Sequence, residues 1–462
     1  MAAANNINLD ERFELSAGGQ RKLFITIAVG ALLLAFGIFG LSQGWFDPAS
    51  TGDHGAEHHG AIVESSKLLA SEGHSDAGHE GHAEAHEGGH HAYHWSKRII
   101  INLWHNNVWF LGISIIGIFF LTVNYIAWAG WNAGFKRVLE AFGYYIPVAG
   151  VITILMFLFF KHDIFHWTHD GIMTEGSANY DHIIAGKGWW LGQGFYTFRL
   201  VFYFVAWFGV FLLIRKASLK EDEVGGDENH QKMVTWSGLF VWIFGITTST
   251  GAWDLVMSID THWFSTLFGW YTFASWLVSG MCVITLLVIY LKEAGYLSIV
   301  NDEHLHDLGT YIFGFSIFWT YLWFSQYILY WYANIPEEGV WFIERFFNNN
   351  GNYLSLVILN LIINFVFPFL YFMTRDAKRN ATLLKVGSFV LLFGHWIDFY
   401  LMVTPGTLGE HGGMNLGMLF VELGMTLIFS GIFLYVVLHF LSKAPLIAKN
   451  HPMLQESINH HT

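Results

Sequence analysis

Apolar residues run along this chain in long unbroken stretches, not in the spacing of elements that face water on one side. Residues 23–41 (LFITIAVGALLLAFGIFGL) form the first. About 20 such residues cross a bilayer core of ~30 Å as a helix. Ten runs qualify: 23–41, 108–128, 138–160, 195–214, 234–257, 267–291, 308–331, 353–373, 382–403 and 416–441. The pattern predicts an all-α polytopic membrane protein with ten transmembrane helices. Composition agrees, because only 13% of residues are charged, where soluble domains carry roughly 25%.

Charge fixes the expected orientation. With a cytoplasmic N-terminus, sixteen Lys and Arg fall in inner segments. Six fall in outer ones: Lys67, Lys97, Arg98, Lys161, Lys187 and Arg345. This bias places both termini in the cytoplasm of a bacterial inner membrane, with the first span (within 1–41) as a retained anchor. The net charge of −13 implies no nucleic-acid partner, since the basic residues form no patch. The single cysteine, Cys282, cannot hold an iron–sulfur cluster, a CxxCH haem or an internal disulfide. No tightly bound cofactor is expected in this chain.

The segment 42–107 interrupts the apolar pattern. It holds ten histidines between His54 and His94, interleaved with Gly, Ala, Glu and Asp. Such a composition cannot bury enough apolar surface to fold alone. One reading is loose binding of Zn, Cu or Ni, with His58, His59, His90 and His91 as the weak candidates. The other is a solvated periplasmic loop that gains positive charge as pH falls, which the lack of fixed ligand spacing favours.

Ionisable groups within spans are expensive and mark candidate function. They are Arg199, Asp254, His395, Asp398 and Glu422, all in the outer half of their spans. The inner half offers mainly amides and hydroxyls, with Glu140 at its edge. His395 and Asp398 lie at i and i+3 and so share a helical face. With Asp254 or Glu422 they could form a proton relay or the polar end of a quinone pocket. The competing readings are structural: a carboxylate neutralising Arg199, and Glu422 as a buried neutral acid. Haem b would need two histidines at matching depth. His395 is the only one well within a span by this reading, and His439 lies at the opposite end of another.

Three stretches carry a resemblance: WDLVMSIDTHWFSTLFGWYTFAS (253–275), FGFSIFWTYLWFSQYILYWYANIPEE (313–338) and HWIDFYLMVTPGT (395–407). They resemble the NrfD/polysulfide-reductase-like membrane subunits of bacterial alternative complex III, specifically the ActF type, over about 100–441. The resemblance implies two central four-helix bundles, here 108–257 and 258–403, with 404–462 as the last span and cytoplasmic tail. It implies a respiratory-chain complex for electron transport, which oxidises quinol and reduces cytochrome c or a terminal oxidase. The implied partners are an ActC-like sister subunit, an iron–sulfur subunit and c-type cytochrome subunits, which hold the haem c and iron–sulfur clusters. Quinone binding in this chain stays open, and the ActF task would be proton translocation. The implied proton-pathway residues are Asp254, Asp260, His262, His395 and Asp398.

The short segment SIDTHWF (258–264) reads as a proton exit or docking edge, or simply as a turn capped by Ser258 or Asp260. In NIPEE, Pro336 starts a helix whose positive end Glu337 and Glu338 complement. The expected function is thus a non-catalytic, or at most quinone-binding, subunit of a quinol:cytochrome c oxidoreductase. Its rivals are a structural scaffold for peripheral redox subunits and a secondary transporter, although Pro147, Pro368 and Pro405 give no symmetric pair of broken helices.

Overall fold

Inside hydrocarbon each backbone N–H and C=O must be satisfied within the segment, and an α-helix does this for an isolated apolar run. The computed structural model describes residues 8, 10–43, 45, 95–347, 353–413 and 419–461. Ten helices among them are long and apolar enough to span a membrane. We label them α1 (Ala17–Ser42), α2 (Trp95–Ile126), α3 (Lys136–Ile164), α4 (Gln193–Val224), α5 (Asp227–Leu255), α6 (Leu267–Glu293), α7 (Asp302–Ala333), α8 (Tyr353–Tyr371), α9 (Ala381–Leu408) and α10 (Leu419–Leu441). No β-strand occurs among the described residues. The protein is an all-α, multi-pass membrane protein.

Two four-helix bundles form its centre. In the first, α2 and α4 each pack against both α3 and α5. In the second, α6 packs against α7 and α9, and α8 closes the ring against both. The bundles meet where α2 touches α6 and α9, and where α5 touches α6. Accordingly α2 and α6 are the most buried spans. Helix α10 packs on α2, and α1 lies outside on α10. Small residues allow that last contact: a Cβ added to Gly30 would lie 2.7 Å from the Gly424 carbonyl oxygen.

The spanning helices run between two ends of the molecule. Helix α1 starts and α10 finishes at one, here called the terminal face. The tail after α10 folds back over it, with Ser457 Oγ donating to Trp131 O at 2.8 Å. The opposite end is called the far face. It carries the 256–266 connection and the short helix Pro336–Phe346, whose first position is Pro336 as expected.

One boundary differs greatly from the sequence reading. Helix α2 begins at Trp95, inside the segment 42–107 expected to be loop. The extra turns carry Arg98, Asn102, His105, Asn106 and Asn107, all buried. His58, His59, His90 and His91 lie outside the described residues.

Candidate functional site

Asp398 is the hub of the second bundle. It lies on α9 and is fully buried. Three neutral donors, one from each other helix, reach its carboxylate. Tyr271 O–H (α6) donates to Oδ1, Trp319 Nε1 (α7) to Oδ2 at 2.9 Å, and Asn360 Nδ2 (α8) to Oδ1 at 2.9 Å. Asn364 extends the chain of amides by donating to Asn360 Oδ1 at 2.5 Å. A π-turn at Ile362–Val366 sits in the same part of α8, a feature frequent at functional sites.

His395, one turn earlier on α9, is also fully buried. Its Nδ1 lies 3.0 Å from Ser275 Oγ and 3.9 Å from Asp398 Oδ2. The expected shared face is therefore real, but the two are not directly hydrogen bonded. Nε2 of His395 has no partner among the described residues. Asp398 thus differs from the other intramembrane acids: its hydrogen bonds come from uncharged groups, and its ionisable neighbour is an imidazole.

Asp254 is instead saturated by a cation. Arg199 donates from Nε to Oδ2 and from Nη2 to Oδ1, both at 2.8 Å. Trp190 Nε1 and Tyr203 O–H add bonds of 3.0 and 2.8 Å. The guanidinium also stacks over Trp190, 4.0 Å from the ring centroid. This bidentate pair ties α4 to α5.

Glu422 has a partner the sequence reading left in a loop. Arg98 reaches Glu422 Oε1 at 2.7 Å and also donates from Nη1 to His411 O at 3.0 Å. The pair links the start of α2 to the start of α10. His105, also on the early part of α2, is a second buried intramembrane histidine. This corrects the expectation that His395 stands alone. Its Nε2 lies 3.1 Å from Trp396 O.

Asp260 and His262 part company. Asp260 turns inward to Arg345 Nη2 at 3.2 Å. His262 pairs with Asp181 at 2.6 Å near the surface. Backbone bonds to Asp181 from Ile183 and Ile184 help His262 hold that carboxyl below the usual range, overcoming the opposing effect of burial. Neither Ser258 nor Asp260 caps a helix: Ser258 Oγ donates to Asp254 O at 2.6 Å.

The terminal half is more charged than expected. Lys136, Arg137 and Arg215 face Glu140, Glu221 and Asp222, all buried. Lys136 Nζ donates to Glu221 Oε2 and Arg137 Nη1 to Glu140 Oε2, at 2.7 and 2.5 Å. Arg215 also pairs with Glu140, and Arg137 with Asp222. Glu221, His230 and His451 place one ligand atom each within 4.8 Å of the others. That is a metal-like composition. However, the three cations already balance the three carboxylates, so a divalent ion would add uncompensated buried charge.

Apart from Glu140, these groups escaped the sequence reading because hydropathy ends a span at its first charges. The usable signal was their spacing: Arg137 and Glu140 lie at i and i+3, as do Ser218 and Glu221. Compared with known proteins, the chain matches no family model and no curated protein.

Proposed function

We propose that the chain is an integral membrane subunit of a respiratory quinol:cytochrome c, or quinol:terminal oxidase, oxidoreductase of the alternative complex III type. Its task in that complex is to conduct protons. The reading rests first on the three aromatic-rich stretches that resemble the ActF-type subunits. The observation that carries it further is the environment of Asp398. A buried carboxylate with neutral donors and an imidazole 3.9 Å away can exchange a proton without breaking a salt bridge. Burial of net charge is costly, so the neutral form of His395 with Asp398 holds one proton between them. Tyrosine, indole and amide donors fix the geometry of Asp398, and the contact with Ser275 Oγ orients His395.

Arg199–Asp254 and Arg98–Glu422 serve a different purpose in this reading. Each acid is held by a guanidinium, and the pairs lock helices together. In this account the terminal face is cytoplasmic and the far face periplasmic, following the Lys and Arg bias. Haem c and iron–sulfur clusters reside in partner subunits. Quinol is bound by the ActC-like sister subunit, or between it and this chain.

The saturated ion pairs favour one alternative, a scaffold that only anchors redox subunits. Purification of the tagged chain from its native membrane tests the shared part of both readings. Co-purifying c-haem absorbance and iron–sulfur signals are expected. A chain recovered alone, with substrate uptake in liposomes, would contradict them and favour a transporter.

A further inference from the structure

The far face holds a group of charges that the Asp398 cluster does not use. The short helix Pro336–Phe346 carries Glu344 and Arg345 side by side in its last turn. Arg345 is buried, only 1% exposed. Its position depends on Pro405. Proline has no N–H, so Pro405 inside α9 leaves the carbonyl of Leu401 without its helical donor. Arg345 Nε fills that vacancy, donating to Leu401 O at 2.8 Å. Nη1 donates to Trp341 O at 2.7 Å, and the guanidinium lies 3.8 Å over the Trp341 ring.

Two carboxylates share this one cation. Asp260 Oδ2 is 3.2 Å from Arg345 Nη2. A glycine at 406 permits that approach, because a Cβ there would lie 2.0 Å from Asp260 Oδ1. Glu344 Oε2 is 3.6 Å from Arg345 Nη1, beyond hydrogen-bond reach, and has no donor among the described residues although the atom is buried. The rest of the Glu344 side chain is accessible, 38% exposed. Both carboxylates line a cavity of about 170 Å³, large enough for several waters. His166 and His262 line it too.

We propose that Asp260, Glu344 and Arg345 form a proton-binding site at the far face, with the exchangeable proton on Glu344. One guanidinium compensates one carboxylate, and Asp260 has the better geometry to claim it. The second carboxylate is left to take a proton from the water of the cavity. Burial, with Asp260 beside it, pushes Glu344 up to about 7, against the opposing pull of Arg345. Burial also raises Asp260, again opposed by Arg345. Across the cavity, burial lowers His166, helped by His169 and His262. His262 faces Asp181 at 2.6 Å. Of the two carboxylates of this cavity, Glu344 is the one placed to change charge near neutral pH. Arg345 grips α9 at Leu401, one turn beyond Asp398. Resting on the proton-conducting reading above, the site would be where that route meets bulk water.

The test is infrared difference spectroscopy of the purified complex in nanodiscs across neutral pH, reading the protonated carboxyl C=O band. A band titrating near pH 7 is expected in the wild type and absent in Glu344→Gln. Glu344→Asp should keep a titrating carboxyl, which guards against a fold defect. Asp260→Asn should move the titration to lower pH, because a neighbouring negative charge is gone. A band unaffected by Glu344→Gln, or a wild-type Glu344 titrating in the ordinary carboxylate range, would overturn the site. No turnover is needed for this reading. Failure of the respiratory assignment would appear separately, as missing c-haem and iron–sulfur partners.

Discussion

Replacing Asp254 with Asn asks whether this acid conducts protons or holds helices. The geometry favours the second. Asp254 accepts two bonds of 2.8 Å from Arg199, and both side chains are almost entirely buried. Asparagine keeps the shape, but its single oxygen can accept from only one of Trp190 and Tyr203, which donate to different carboxylate oxygens. It removes the negative charge and leaves the guanidinium buried with only Trp190 O and aromatic faces. Breaking a buried pair from one side costs about 3–5 kcal/mol. Removing both charges, in Arg199→Met with Asp254→Asn, should recover most of that, leaving a loss of roughly 1 kcal/mol. Equilibrium unfolding in mixed detergent micelles, run as a double-mutant cycle, measures both. The expected result is a large single-mutant loss with strong coupling. A stable Asp254→Asn protein, or losses that simply add, would refute the structural assignment. A stable variant with reduced proton coupling would return Asp254 to the conducting route.

Two further predictions address the edges of the fold. Burial, with Lys136 nearby, depresses His451 to about 3, whereas an unfolded histidine titrates at ~6.5. The undocked tail therefore binds more protons than the docked one between these values, so docking weakens as pH falls below ~6.5, by about 2 kcal/mol at pH 5. Hydrogen exchange of residues 446–458 should accelerate on acidification, and His451→Gln should remove this pH dependence. At the other edge, a Cβ on Gly424 would lie 2.6 Å from Leu34 N. Gly424→Ile should cost roughly 1–3 kcal/mol of α1–α10 packing and lengthen spin-label distances between these helices. Distances equal to wild type would show that α1 is held by something else.

The spans were legible because a bilayer demands about 20 apolar residues, and lipid leaves the chain no alternative to helix. Their ends were less legible. Trp95–Asn107 reads as loop because it contains Arg98, Asn102, His105, Asn106 and Asn107. Those side chains point into protein rather than lipid: Arg98 to Glu422, and Asn107 Nδ2 to Thr153 Oγ1 at 2.8 Å. Hydropathy gives each residue one cost wherever it faces. The same error hid Lys136, Glu221 and Asp222.

The candidate site was half visible. A His and an Asp three apart on an apolar helix could be seen in one line of sequence. The donors to Asp398 could not, because Tyr271 and Trp319 sit 127 and 79 positions away. Both belong to aromatic-rich stretches of the sequence. Their polar tips were the available clue, since a buried Tyr O–H or Trp N–H needs an acceptor. Arg345 shows the reverse difficulty. It counts as a loop cation in sequence, yet Pro405 on another helix makes room for it.

The central claim is that Asp398 lies on a proton route in a quinol oxidoreductase. It is tested most directly by the proton-to-electron ratio of the intact complex in liposomes, wild type against Asp398→Asn, at matched assembly. The account predicts a lowered ratio with electron transfer retained. An unchanged ratio at an unchanged rate would contradict it and make Asp398 a structural hub.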